Sequence, residues 1–392
     1  MSRMLTEIDG DLLEKTRLFR EDLHRHPELS EQETRTASRV ADALRESGLD
    51  SVEVGVAGTG VVGLLKGPED GPTIALRADM DALPIQEETG LPYASETPGV
   101  MHACGHDGHT AILVAVAEVL TEHRDELPGS VKFIFQPAEE GLSGGLHMVE
   151  AGVLKAPEVN AIFALHGRNG LRPGRIGLSA TPNAAVNGFS MSIRGRGGHG
   201  ARPHDCVDPI AIGAQIISQS QLIVSREVRP DMPAVLSFCC FRAGSKSNII
   251  PESAEVLGTI RATEMSVLRQ VRTRLEEIAT GVASNLRGHA EIEDAELYPP
   301  VHNDADLLRH VERVGSELLG EANVVWDTEQ RMGAEDFAFY LEEQGGVPGV
   351  IFSLGIETDA NGHSPHFDFG SAGLEPGILM LTNIVLSLPS GA

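Results

Sequence analysis

From Leu12 to Leu49 apolar residues return every three or four positions, interrupted at His26-Pro27 and stopped at Gly48. That spacing predicts two helices. The pattern then shortens to strand length. Residues 61–66 and 73–76 are apolar and partly β-branched, and the second run leads into Arg77-Ala78-Asp79-Met80-Asp81-Ala82-Leu83-Pro84. Residues 110–127 carry a long helical pattern, and 131–136 a short strand that stops at Pro137-Ala138-Glu139-Glu140-Gly141. A helix over 146–151 then leads to a third strand, 161–165, which stops at His166-Gly167. Strands alternating with helices predict an α/β fold, a three-layer domain around a mixed, mainly parallel sheet. Such sheets gather their functional groups beyond the carboxyl ends of the strands. Three successive strands here end in Asp79/Asp81, Glu139/Glu140 and His166, so one sheet edge receives all of them.

After about Ala180 the periodicity changes. An alternating strand over 189–194, a helix over 209–224, strands over 234–242 and 255–262 and a helix over 266–286 give a βαββαβ order. This order predicts a ferredoxin-like α+β domain inserted into the first. The expected boundaries are 1–180 and 295–392 for a discontinuous first domain and 181–294 for the insertion, with hinges near 180 and 295. The first domain resumes near Tyr298 and closes with 337–341, 349–354 and a terminal helix. A chain of 392 residues, 41% hydrophobic, agrees with two cores, since a single core stops growing near roughly 250–300 residues.

A net charge of −26 argues against nucleic acid or an anionic membrane as partner. No apolar run approaches the roughly 18 residues that span a bilayer, and the N-terminal segment lacks the apolar core of a signal peptide. Cys104, Cys206, Cys239 and Cys240 do not form a disulfide framework, so a reducing cytoplasm is expected.

The chemistry concentrates in Met101-His102-Ala103-Cys104-Gly105-His106-Asp107-Gly108-His109. Thiolate and imidazole two residues apart on a glycine-containing loop suit zinc or a similar ion. With Glu140, His166 and His363, the residues Cys104 and His106 make five candidate metal ligands. Four ligands close a structural site and three plus water make a catalytic one, so five from separate loops predict two ions sharing a water. Of the adjacent carboxylates, one ligates while the other stays free to accept a proton, and Glu139 is taken as that general base. The donor set accepts zinc, manganese, cobalt or nickel.

The strings LRADMDALPI, MHACGHDGHTA, QPAEEG, RGRGGHGARPH, SNIIP, MGAEDF and HSPHF, in that order along nearly the whole chain, resemble the M20 metallopeptidase superfamily. The resemblance is to its amidohydrolase branch of N-acyl-amino-acid, hippurate and auxin-conjugate hydrolases. It implies a metal pair held at Cys104, His106, Glu140, His166 and His363, with Glu139 as the base. It implies further that Asp81 orients a ligating residue, while Asp79 stands where many relatives outside this branch carry a metal-binding histidine. The insertion resembles a lid and dimerisation domain, which implies a homodimer. Within it His199 matches a histidine that polarises the scissile carbonyl, in cis or across a dimer. Asn248 and Arg261 are candidates for holding a substrate carboxylate. Where many relatives of this branch follow the ligand histidine with a hydrophobic residue, an aromatic and a proline, this chain has Gly167-Arg168-Asn169. Arg168 and Asn169 are therefore candidate substrate contacts favouring a small or polar side chain. The function so implied is hydrolysis of small N-acyl-L-amino acids to a carboxylate and a free amino acid. A dipeptidase of the same superfamily and a non-catalytic metal- or ligand-binding relative are the alternatives.

Overall fold

A computed structural model describes residues 4–68, 71–141, 143–327, 330–341 and 345–388. In chain order the elements are α1 (Gly10–Arg25), α2 (Thr34–Glu46), β1 (Ser51–Val56), β2 (Gly60–Leu65), β3 (Thr73–Asp79) and α3 (His106–Glu122). Then come β4 (Ser130–Gln136), α4 (Gly144–Glu150), β5 (Val159–Arg168) and β6 (Ile176–Leu178). The next stretch holds β7 (Ala185–Arg194), β8 (Gly198–His199), α5 (Pro209–Leu222), β9 (Ala234–Ala243), β10 (Ile249–Ile250), β11 (Ser253–Ala262), α6 (Met265–Asn285) and β12 (His289–Tyr298). The chain closes with α7 (Ala305–Leu319), β13 (Val324–Trp326), α8 (Ala338–Leu341), β14 (Gly349–Gly355) and α9 (Leu374–Leu386).

The fold divides into two units, one of residues 1–182, 302–329 and 336–392, the other of 183–301 and 330–335. In the first, eight strands form one sheet in the order β1-β2-β4-β3-β5-β14-β6-β13. Its centre, β4-β3-β5-β14, is parallel, and the pairs β1·β2, β2·β4 and β14·β6 are antiparallel. All seven residues of β3 are buried, as expected of a strand covered on both faces. Local signals set the helix ends. Asp9 accepts from the amides of Asp11 and Leu12 to open α1, which ends before Pro27, and Asp304 opens α7 in the same way. Buried apolar side chains from α2, α3, α7, α9 and the central strands form one core.

Two of the departures from the expected pattern lie at the ligand strings. Helix α3 begins at His106 rather than near residue 110, because Gly105 turns the chain at φ +92° and lets the first turn form at once. His106 and His109 therefore share a helix face instead of a loop. Strand β5 runs on past His166 to Arg168, since β14 pairs with it up to Arg168.

The second unit is a four-stranded antiparallel sheet, β12-β7-β11-β9, with α5 and α6 packed on one core. The βαββαβ order with that strand sequence is the ferredoxin-like arrangement. Among the described residues no helix is long and apolar enough to cross a membrane.

Candidate metal centre

The candidate ligands sit at the ends of regular elements or in the loops that follow them. Cys104 and His106 flank the turn at Gly105 into α3. Glu139 and Glu140 lie in the turn after β4, where Ala138 takes φ +55° and is held by the Glu33 carboxylate accepting its amide at 2.9 Å. His166 is near the end of β5. His363 follows Gly362 in the loop after β14, and its amide donates to Ala103 O at 2.8 Å, tying that loop to the cysteine.

The donor atoms converge. Cys104, His106 and His166 offer atoms within 4.8 Å of one another, as do Cys104, Glu140 and His363, and His106, Glu139 and Glu140. Cys104 Sγ lies 3.5 Å from His166 Nε2, and Glu140 Oε1 lies 3.2 Å from His363 Nε2 and 4.0 Å from His106 Nε2. Two donors bound to one ion at about 2.0–2.3 Å stand about 3–4 Å apart, so these separations fit shared ions.

Hydrogen bonding tells which ring nitrogen faces the centre. His106 Nδ1 lies 2.9 Å from the Asp81 carbonyl, which can only accept, so the proton is on Nδ1. In the neutral ring Nε2 is then a lone pair; this buried atom has no hydrogen-bond partner, and the buried Glu140 Oε1 has none either. A buried acceptor without a donor is costly, and a cation is what such atoms fit. His166 repeats the arrangement. Its Nδ1 donates to Gly167 O at 2.8 Å and leaves Nε2 toward Cys104. Burial would raise the Cys104 thiol, but His166 and His106 beside it outweigh burial and bring it down to about 6.

Asp81 supports two of the candidate ligands at once. Its Oδ1 is 3.2 Å from His106 Nδ1, and its Oδ2 accepts from the Glu140 amide at 2.9 Å and the Ser30 hydroxyl at 2.7 Å. Hydrogen bonds of this kind orient a ligand and fix its tautomer. Asp79 Oδ2 lies 3.7 Å from His106 Nε2, but both oxygens of this carboxylate already have other partners. Arg77 Nη1 donates to its Oδ2 at 2.7 Å and His109 Nδ1 sits 2.7 Å from its Oδ1. Burial would raise this carboxyl, yet His106, Arg77 and His109 hold it well below the usual carboxylate range.

Other sequence-based candidates have partners of their own. Arg168 Nη1 is paired with Asp327 Oδ1 at 2.5 Å. Asn169 Nδ2 donates to Asn361 Oδ1 at 3.1 Å, joining the segment after His166 to the loop of His363. Both thus brace ligand-bearing segments as they stand. In the second unit His199 Nδ1 accepts the Ala201 amide at 3.1 Å, which puts its ring proton on Nε2 as a free-standing donor when neutral. Asn248 O accepts the Gly200 amide at 2.8 Å, and Arg261 Nη1 donates to Met332 O at 2.6 Å.

Apart from Asp81, sequence reasoning missed the supporting residues. Arg20, on α1, donates to Asp107 Oδ2 at 2.7 Å and to Asp368, and His24 lies 2.9 Å from the same Asp107 oxygen, so α1 clamps the first turn of α3. Arg77 also reaches Gln136 and Asp336. Phe369 is fully buried against Gly105, Gly108 and Gly167, where a Cβ would stand 2.9, 2.5 and 2.7 Å from its ring. Only glycine lets these segments close on that ring. A cluster of glycines beside every ligand string was the available signal.

A family model described as peptidase family M20/M25/M40 matches residues 75–387. The chain is 42% identical over 355 residues to an N-acetylcysteine deacetylase of Bacillus subtilis (strain 168), covering 90% of this chain and 91% of that one. It is 39% identical over 360 residues to the IAA-amino acid hydrolase ILR1-like 4 of Arabidopsis thaliana, covering 89% and 80%. Among solved structures, the YXEP protein of Bacillus subtilis, a dinuclear metal binding peptidase from the M20 family, superposes with a TM-score of 0.84. The two are 36% identical, with 97% and 98% of the chains covered.

Proposed function

Since this chain belongs to peptidase family M20/M25/M40 and is a metal-dependent amide hydrolase, we propose that it cleaves N-acyl-L-amino acids with small or polar side chains, such as N-acetyl amino acids. The products are a carboxylate and a free amino acid. The observation that carries this reading is the meeting of Cys104, His106, Glu140, His166 and His363 at one sheet edge, with Glu139 beside them. Those five side chains would hold two divalent ions. When bound, the ions supply an acidified water and draw electrons from the amide carbonyl. Glu139 accepts the proton of the attacking water and passes it to the leaving amine. His199, with its proton on Nε2, gives a hydrogen bond to the oxyanion as it forms. Asn248 and Arg261 receive the substrate carboxylate. The deacetylase relative, which by name acts on a small polar substrate, supports the side-chain preference.

A homodimer through the second unit belongs to the same reading. Among the described strands β9 has one unpaired edge, and Phe241 on it, with Ile210 and Leu222 on α5, is exposed.

The test is a panel of N-acetyl amino acids, indole-acetyl conjugates and free dipeptides, assayed with and without chelator. The expected result is chelator-reversible release of amino acid, fastest from N-acetyl substrates with small polar side chains. Preference for indole-acetyl conjugates would overturn the specificity, and preference for dipeptides would favour a peptidase. His199→Ala should lower kcat by about 10²–10³-fold, the usual effect of losing one oxyanion donor, with KM little changed.

A further inference from the structure

Two histidines of the 101–109 stretch, His102 and His109, have no place among the ligands. We propose that His109 is a positioning residue, its buried imidazole clamped between the Asp79 carboxylate and the Gly167 amide so that it sets the direction from which His166 meets the metal pair. The proposal rests on the reading of His166 as a ligand.

The donor and acceptor roles follow from chemistry. The Gly167 amide can only donate, and it lies 2.8 Å from His109 Nε2, so Nε2 accepts. The ring proton is therefore on Nδ1 and goes to Asp79 Oδ1 at 2.7 Å. Both nitrogens are spent. His109 falls with Asp79 and His106 in a group of donor atoms near enough to surround an ion, but it has no lone pair left to give one.

The clamp is anchored at both ends. Asp79 is held by Arg77 through its other oxygen and by the Thr110 hydroxyl, which donates to its carbonyl at 2.8 Å. Gly167 N belongs to the peptide that directly follows His166, and the carbonyl of Gly167 receives the His166 Nδ1 proton. Fixing this peptide fixes the backbone to which His166 is attached, and the bond from His166 Nδ1 to the carbonyl of the next peptide turns its Nε2 toward Cys104. The ring of His109 cannot slide aside. The His166 ring lies 4.8 Å away at 62° and the Phe369 ring 5.8 Å away at 82°. A rigid path thus runs from β3 through α3 to the end of β5. Losing an outer partner of a metal ligand commonly costs about 10–100-fold in metal affinity or activity.

The first measurement uses the wild-type protein with ¹⁵N-labelled histidine and long-range NMR correlations, without metal and with zinc alone. The expected result is a neutral Nδ1–H imidazole, lost in His109→Gln, that keeps its tautomer when zinc binds. An Nε2–H tautomer, or a zinc-bound nitrogen at His109, would overturn the proposal. The second measurement compares zinc affinity and the cobalt absorption spectrum in His109→Gln and His109→Phe. Affinity should fall about 10–100-fold with an altered cobalt spectrum, and less in Gln, whose amide can still bridge the two partners, than in Phe. Wild-type affinity and spectrum in both variants would refute it. If the variants do not fold, the wild-type tautomer still decides. Separately, undiminished metal content in His166→Ala would overturn the ligand reading on which the proposal stands, while leaving the tautomer result intact.

Discussion

Glu139→Gln is expected to lower kcat by about 10²–10⁴-fold, the range typical of a lost general base, while the protein keeps its full complement of ions. The change conserves volume and removes only the capacity to take a proton. Glu139 and Glu140 are neighbours in one turn, and both offer donor atoms close to His106. The Glu140 amide is tied to Asp81, and its Oε1 is buried, without a hydrogen-bond partner, 4.0 Å from His106 Nε2 and 3.2 Å from His363 Nε2. Glu140→Gln is therefore the variant that should lose metal. Elemental analysis of both, beside kcat, separates the roles. Metal loss from the Glu139 variant with retention in the Glu140 variant would reverse the assignment.

The largest effect on stability is expected at Arg77. It is 2% exposed, in the centre of β3, and gives hydrogen bonds to Gln136 Oε1 at 2.8 Å, Asp79 Oδ2 at 2.7 Å and Asp336 Oδ1 at 2.7 Å. Asp336 is itself completely buried and also accepts from Gln136 Nε2 and the Gly145 amide. Arg77→Met would leave two buried carboxylates without their cation, and breaking a buried pair from one side typically costs about 3–5 kcal/mol. Urea denaturation should show a midpoint shift equivalent to that loss. A shift worth less than about 1 kcal/mol, the size of an exposed pair, would mean that the guanidinium is not what neutralises the two carboxylates.

Much of this was legible in the chain. The alternation of strands and helices is strong because β3, β4 and β5 are buried on both faces and so are written as short apolar runs. The ligand candidates were legible because thiol, imidazole and carboxylate at strand ends have few structural uses together. Strand β1 was missed for the opposite reason. None of its six residues is buried, so its sequence carries no apolar face to read. The start of α3 was misplaced because His106, Asp107, Gly108 and His109 look like loop residues, and only tertiary partners bury them in a helix. The buried ion network could not be read at all. Arg77 and Asp336 are 259 positions apart, and neither residue differs in sequence from a surface charge. The seat of Phe369 among three glycines is likewise a property of three segments brought together by the sheet.

The central claim is that five side chains from distant parts of the chain hold a pair of ions. Crystals of protein purified with its own metal, measured on both sides of that metal's absorption edge, test it most directly. The expected result is two anomalous peaks about 3.5–4 Å apart, at about 2.0–2.3 Å from Cys104 Sγ, His106 Nε2, Glu140, His166 Nε2 and His363. A single peak, or peaks held by other side chains, would contradict it.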